Sequence, residues 1–202
     1  MLEDGIPEPR FAFRMTLYLL DTNVLSNLSK PRPSPSVLNW CHRLRPRNWC
    51  IAQCTIIEIR RGIKILALKG ERARAGALND WFNNLLAMRP RIIALNDQII
   101  DVFTDLSLVP ELQNVFAPSP GKYPARVGRD LEIAATAIVM NATVVTVNVS
   151  DFLAINDHVR LPGLFNPDTD QWLVRPRRRE TEAVGEGHWD MHRRLSAKIM
   201  KH

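Results

Sequence analysis

The chain has 202 residues, 46% hydrophobic and 24% charged, which suits one domain with appendages and excludes a chain disordered throughout. Its most apolar stretch, residues 134–147, is interrupted by Asn141 and falls short of the roughly 18–20 residues that span a bilayer, so no membrane association is expected. Acidic Glu3 and Asp4 argue against a signal peptide, three cysteines make no disulfide framework, and a cytoplasmic location follows.

Residues 1–14 hold two prolines and no clear period and read as a disordered leader, with Met15 as a candidate true start. Thr16–Leu20 is a short apolar run that stops at Asp21, the pattern of a buried parallel strand with an acid at its carboxyl end. Helices are predicted over Thr22–Leu28 and Ser36–Leu44, then a strand over Asn48–Ala52, and long helices over Thr55–Leu68 and Arg72–Met88. A third strand, Arg91–Leu95, precedes a helix over Asp97–Val109 that Asn96 or Asp97 would cap. Pro110–Arg126, with four prolines, is an irregular loop. Asp130–Asn141 is helical, Thr143–Val147 is a β-branched strand, Asp151–Phe152 forms a turn, and Val159–Leu161 is a last short strand. This alternation predicts an α/β domain over residues 15–174, a central parallel sheet covered by helices on both faces.

Four acids fall at ends of these elements. Asp21 follows the first strand and Asp151 the fourth; Asp130 opens the helix leading into the fourth strand, and Glu58 lies one turn into the helix after the second. Ligands of parallel α/β sheets bind beyond the carboxyl ends of the strands. Singly, each acid has another reading: Asp21 and Asp130 as helix caps, Glu58 in a capping box with Thr55, Asp151 in an Asx-turn. Together they would repel, since two carboxylates ~4 Å apart cost about 4 kcal/mol at an effective dielectric of ~20. A divalent cation reverses that sign, and carboxylate oxygens suit Mg²⁺ or Mn²⁺, which in turn suit phosphodiester hydrolysis. Cys41, Cys50 and Cys54 lack zinc-like spacing. The small Ala134 and Ala137 would let the Asp130 helix approach the sheet, and Gly62 would leave room above Glu58.

Leu19-Leu20-Asp21-Thr22-Asn23-Val24 resembles the opening strand and acid of the PIN domain. Thr55-Ile56-Ile57-Glu58-Ile59-Arg60-Arg61-Gly62 resembles its second motif, Asp130-Leu131-Glu132-Ile133-Ala134-Ala135-Thr136-Ala137 its third, and Thr146-Val147-Asn148-Val149-Ser150-Asp151-Phe152 its fourth. Phe165-Asn166-Pro167 followed by Trp172 is similar to the ending of the VapC and FitB branch. The match covers about residues 16–174. The resemblance implies a three-layer α/β/α fold and a Mg²⁺- or Mn²⁺-dependent ribonuclease, the toxin of a bacterial toxin–antitoxin pair acting on structured RNA. It further implies a homodimer inhibited by a small DNA-binding antitoxin whose C-terminal segment packs near the acids. Carried onto this sequence, Asp21, Glu58, Asp130 and Asp151 form the acidic site, with Thr22, Thr146 and Asn148 as polar neighbours.

Some members carry an acid where this chain has Asn148, so either Asp151 is the fourth ligand or the site runs on three acids. Asn148 also keeps open a non-catalytic PIN-like binding module. A phosphoacceptor receiver domain, the third reading, is opposed by Glu58 inside a helix and by the missing lysine after a late strand. Residues 175–202 carry eight Lys/Arg against four Asp/Glu, most of the net charge of +6. This basic tail, which can be drawn with a short helix over 188–200, is either solvated or, through Arg175, Arg177, Arg178 and Arg179, an attractor of RNA phosphates near the acidic site.

Overall fold

The computed structural model describes residues 16–112 and 129–177. The leader, most of the Pro-rich loop, and the tail from Arg178 onward, with Arg179, lie outside the described residues. The elements are β1 (Tyr18–Leu20), α1 (Thr22–Leu28), α2 (Pro35–His42), β2 (Trp49–Ala52), α3 (Gln53–Leu68), α4 (Arg72–Ala87), β3 (Arg91–Ile93), α5 (Asp97–Ser107), α6 (Arg129–Met140), β4 (Thr143–Val145), α7 (Val149–His158), β5 (Gly163–Asn166) and β6 (Gln171–Val174). The sheet order is β3-β2-β1-β4-β5-β6. Neighbours from β3 to β5 run parallel, and β6 returns antiparallel to β5.

The pleat sorts the strand residues into two cores, because successive side chains point to opposite faces. Leu19, Cys50, Ala52, Val144 and Leu164 pack on one face with Val102 and Leu106 of α5, Leu131 and Ala134 of α6, and Phe152 of α7. Leu20, Ile51, Val145 and Phe165 pack on the other with residues of α1 to α4, among them Val24, Trp40, Ile59 and Phe82. The result is a three-layer α/β/α sandwich. Fully buried side chains such as Phe82 and Phe152 each stabilise it by about 1.5–3 kcal/mol. Trp40 fits between Tyr18 and Phe165, with ring centroids 5.3 Å from each.

Ala134 and Ala137 are fully buried, as expected of a helix drawn close to the sheet, and the space beside Gly62 is open. Asn96 caps α5, its side-chain oxygen 2.9 Å from the Ile99 amide. Two expectations are corrected. Val159–Leu161 is not a strand; Val159 and Leu161 seal the core and the Leu161 amide bonds the Asn156 side chain at 3.0 Å. The final strands are β5 and β6. In β5 position 163 favours glycine, because a Cβ there would stand 2.4 Å from Thr143 Oγ1. Asp151, expected in a turn, lies within the first turn of α7.

Candidate functional site

β1 has β2 on one side and β4 on the other, so the strand order reverses between β1 and β4. A crevice opens there at the carboxyl ends of the strands. Asp21 directly follows β1 and Thr146 directly follows β4, and the two chain segments are joined by the Asp21 amide to the Val145 carbonyl at 3.0 Å. Asp21 occupies the N-cap position of α1 without making a side-chain cap. Its carboxylate, only 4% exposed, instead accepts the Thr146 hydroxyl at 2.8 Å and an amide hydrogen of Asn23. Asn23 also donates to Thr146 Oγ1 at 2.8 Å and accepts the Val147 amide at 3.0 Å. Asn23 is not a residue that the sequence singles out. As the second residue of α1 it looks like any polar helix residue, and only its bonds to groups 123 and 124 positions away give it a role.

Glu58 accepts the Thr22 hydroxyl at 2.8 Å. The capping-box reading fails, because α3 begins at Gln53 with Ala52 in the N-cap position and Thr55 already inside the helix. Asp151 receives the Asn148 side-chain amide at 3.2 Å, and the Ser150 hydroxyl holds the other end of that amide at 3.1 Å. Thus Thr22, Thr146 and Asn148 each bond one of the expected acids.

Asp130 is the second residue of α6, and the other three acids act on it electrostatically. Burial pushes its carboxyl up to about 7, and the charges of Asp21, Asp151 and Glu58 and a hydrogen bond with Asp151 add to the rise. Burial likewise pushes Asp21 up to about 6; the Thr146 hydroxyl opposes the rise and the Glu58 charge adds to it. Among the described residues, ion pairs join Arg43 to Asp170 and Arg74 to Glu71, and none reaches the four acids. Among the described residues no three His, Cys, Asp or Glu side chains are close enough together to hold a metal ion as they stand. The donor set nonetheless fits a hard divalent cation, since it is all oxygen and two of its carboxyls are held back from ionising by burial and by one another. The cysteines offer no thiolate nucleophile, because burial pushes Cys41 up to about 11 and Cys50 up to about 12.

Arg175 and Arg177 are exposed, but the structure alters their expected place. Because β6 runs antiparallel, with Gln171 beside Asn166 and Val174 beside Leu164, the chain leaves β6 toward the rim opposite the acids. A groove of about 420 Å³ between α2 and the β5–β6 turn is lined by Ser36, Asn39, Arg43, Asp168 and Asp170 and by none of the four acids.

No family model matches the chain. Toxin FitB of Neisseria gonorrhoeae (strain ATCC 700825 / FA 1090) is 27% identical over 151 residues, which cover 75% of this chain and 98% of FitB. The crystal structure of FitAcB from Neisseria gonorrhoeae superposes with a TM-score of 0.56 at 26% identity, over 75% of this chain and 98% of that one. The chain is similar to PIN-domain toxins of the VapC/FitB kind. VapBC-1 of nontypeable Haemophilus influenzae agrees, with a TM-score of 0.50 at 26% identity over 70% of this chain and 94% of that one. VapBC2 of Rickettsia felis, bound to a DNA fragment from its promoter, shares the fold, with a TM-score of 0.54 at 24% identity over 75% and 98%. The PIN-like portion therefore accounts for about three quarters of the chain. Among the described residues no helix is long and apolar enough to cross a membrane.

Proposed function

We propose that the protein is a metal-dependent endoribonuclease, the toxin of a toxin–antitoxin pair. The observation that carries this reading is the environment of Asp130: carboxylates from the end of β1, from α3 and from α7 act on it together, and no cationic side chain among the described residues pairs with them. Asp21, Glu58, Asp130 and Asp151 would hold Mg²⁺ or Mn²⁺. Bound there, the ion supplies Lewis acidity toward a phosphodiester and offsets the like charge of the acids.

The chain's own residues prepare the site. Thr146 and Asn23 fix the Asp21 carboxylate, and the Thr146 hydrogen bond favours its ionised form. Thr22 fixes one oxygen of Glu58, reaching from the residue after Asp21. Asn148 takes the position where some members carry an acid and donates its side-chain amide to Asp151. Asp130, whose carboxyl burial and the neighbouring acids push up to about 7, must lose its proton before it can serve as a ligand.

The relatives' complexes support a small DNA-binding antitoxin as partner. In this reading it offers a cation, best an arginine, to the four acids, and the toxin works as a cytoplasmic homodimer on RNA. The test is cleavage of total RNA by purified protein with Mg²⁺ or Mn²⁺, abolished by EDTA and by Asp130→Asn. Sequencing RNA 5′ ends after induction then gives the target. Asn148 favours the second reading, a binding module without catalysis. Absence of cleavage at millimolar Mn²⁺ with retained antitoxin binding would select it.

A further inference from the structure

Arg129 stands directly before Asp130 at the start of α6. Its Nη1 donates to the main-chain carbonyl of Cys54 at 2.9 Å, across 75 positions of sequence. That oxygen has a second duty. In an α-helix the carbonyl of residue i accepts the amide of residue i+4, so within α3 the Cys54 carbonyl is the acceptor of the Glu58 amide. The guanidinium and the backbone of Glu58 therefore converge on one oxygen. The residue before one acid is tied to the peptide that sets the turn of another.

The two acids so linked repel. Glu58, Asp21 and Asp151 are the charges that act on Asp130, whereas the charge of Arg129 acts on Glu132 and on Cys54. Glu132 is three residues beyond Arg129 and on the same side of α6. An arginine free to swing would be drawn to Asp130 and would neutralise the cluster. Bound to the carbonyl, it braces the two helices and leaves the cluster its negative charge.

We propose that Arg129 is a positioning residue of the acidic site: its bond to the Cys54 carbonyl holds Asp130 and Glu58 together against their repulsion. This rests on the metal-site reading above, and the experiment separates the two. Mn²⁺ binding to the full-length protein is followed by the fall of the free-ion spin-resonance signal for wild type, Arg129→Gln and Arg129→Lys. Removing a residue that orients ligands costs roughly 10-fold or more in affinity, so Arg129→Gln is expected to bind Mn²⁺ about 10-fold more weakly. Arg129→Lys, which keeps one donor, is expected to recover part of that affinity. The second measurement needs no metal. In EDTA, the rise in Tm caused by Asp130→Asn is compared in the wild-type and Arg129→Gln backgrounds. If the brace forces the acids together, the rise is at least halved once the brace is gone; a merely structural arginine gives equal rises. Wild-type Mn²⁺ affinity in Arg129→Gln, or equal rises in the two backgrounds, overturns the proposal. A wild type that takes up no Mn²⁺ overturns the metal site instead, and the EDTA comparison alone then decides the brace. Should Arg129→Gln not fold, Arg129→Lys carries both measurements, and unchanged values in it overturn the proposal.

Discussion

The hydroxyl of Thr146 lies 2.8 Å from the carboxylate of Asp21 and bridges the ends of β4 and β1 where the strand order reverses. It is a hydrogen bond to a nearly fully buried acid, and it opposes the effect of that burial on the Asp21 pKa. Thr146→Val keeps the shape and removes the donor. Asp21 then titrates above its present value of about 6. A hydrogen bond to a charged group contributes ~1.5–3 kcal/mol, which corresponds to a shift of about one unit or more. Because a ligating carboxylate must lose its proton, the pH midpoint of Mn²⁺ uptake should move up by about one unit in Thr146→Val. An unmoved midpoint means that Thr146 does not govern Asp21.

Asp130→Asn separates chemistry from stability. Cleavage should vanish, while the metal-free protein becomes more stable at neutral pH. The sign follows from the raised pKa. A folded value of about 7 against 3.8 means that the stability contributed by protonated Asp130 is complete below about 4 and is lost as pH rises through about 7. Asparagine mimics the protonated form at every pH, so its advantage grows across that window and is flat above it. Allowing for coupling among the acids, the gain at pH 8 should be on the order of 1–3 kcal/mol, with Tm moving about 2–4 °C per kcal/mol. Thermal melts in EDTA at pH 5 and pH 8 check this. A gain of the same size at both pH values would count against the charge argument.

Divalent ions should raise the Tm of wild type but not of Asp130→Asn. At a free concentration of 100 times the dissociation constant, a ligand that binds only the folded state adds about 2.7 kcal/mol. Melts with Mn²⁺ in place of EDTA measure this, and an equal rise in both proteins would place the binding elsewhere.

Asp21 and Asp130 stand out in the sequence because each ends or opens an element that its neighbours define: an apolar run stopping at Asp21, a small-residue helix opening at Asp130. The bonds that orient the acids do not, since Asn23 meets Val147 only after β1 and β4 have paired. The β5–β6 hairpin escapes a sequence reading for a related reason. Gly163 looks like a breaker, and Gly-Leu-Phe-Asn is too short to show a period. The preference for glycine comes from Thr143 on the adjacent strand, a neighbour that sequence pattern does not register. The run of arginines is visible, but not the rim it leaves from, which depends on the direction of β6.

That preference for glycine is testable. Gly163→Ala should destabilise by about 1–3 kcal/mol, the usual cost of overpacking a filled core, because the new methyl group meets a buried threonine rather than a flexible side-chain end. Thr143→Ala removes the atoms it meets, so the double variant should be more stable than the sum of the single effects implies, by about 0.5 kcal/mol or more. Additive effects in urea unfolding would show that the backbone, not Thr143, limits position 163.

The last prediction concerns Arg175, Arg177, Arg178 and Arg179. The first two are exposed and start from the rim opposite the acids, so they are poorly placed to take part in cleavage and well placed to hold a second stretch of a long RNA. Phosphate binding of this kind adds affinity without reading bases. Replacing all four arginines by glutamine in the full-length chain should weaken RNA binding at low salt and leave turnover at saturating RNA unchanged. For single-stranded RNA, the slope of log affinity against log salt should flatten by roughly 0.7 for every phosphate that an arginine no longer neutralises. A slope equal to that of wild type would mean that these arginines are solvated and touch no phosphate. A fall in saturated turnover would mean that the RNA reaches the acids only by way of this far rim, a longer path than the fold requires.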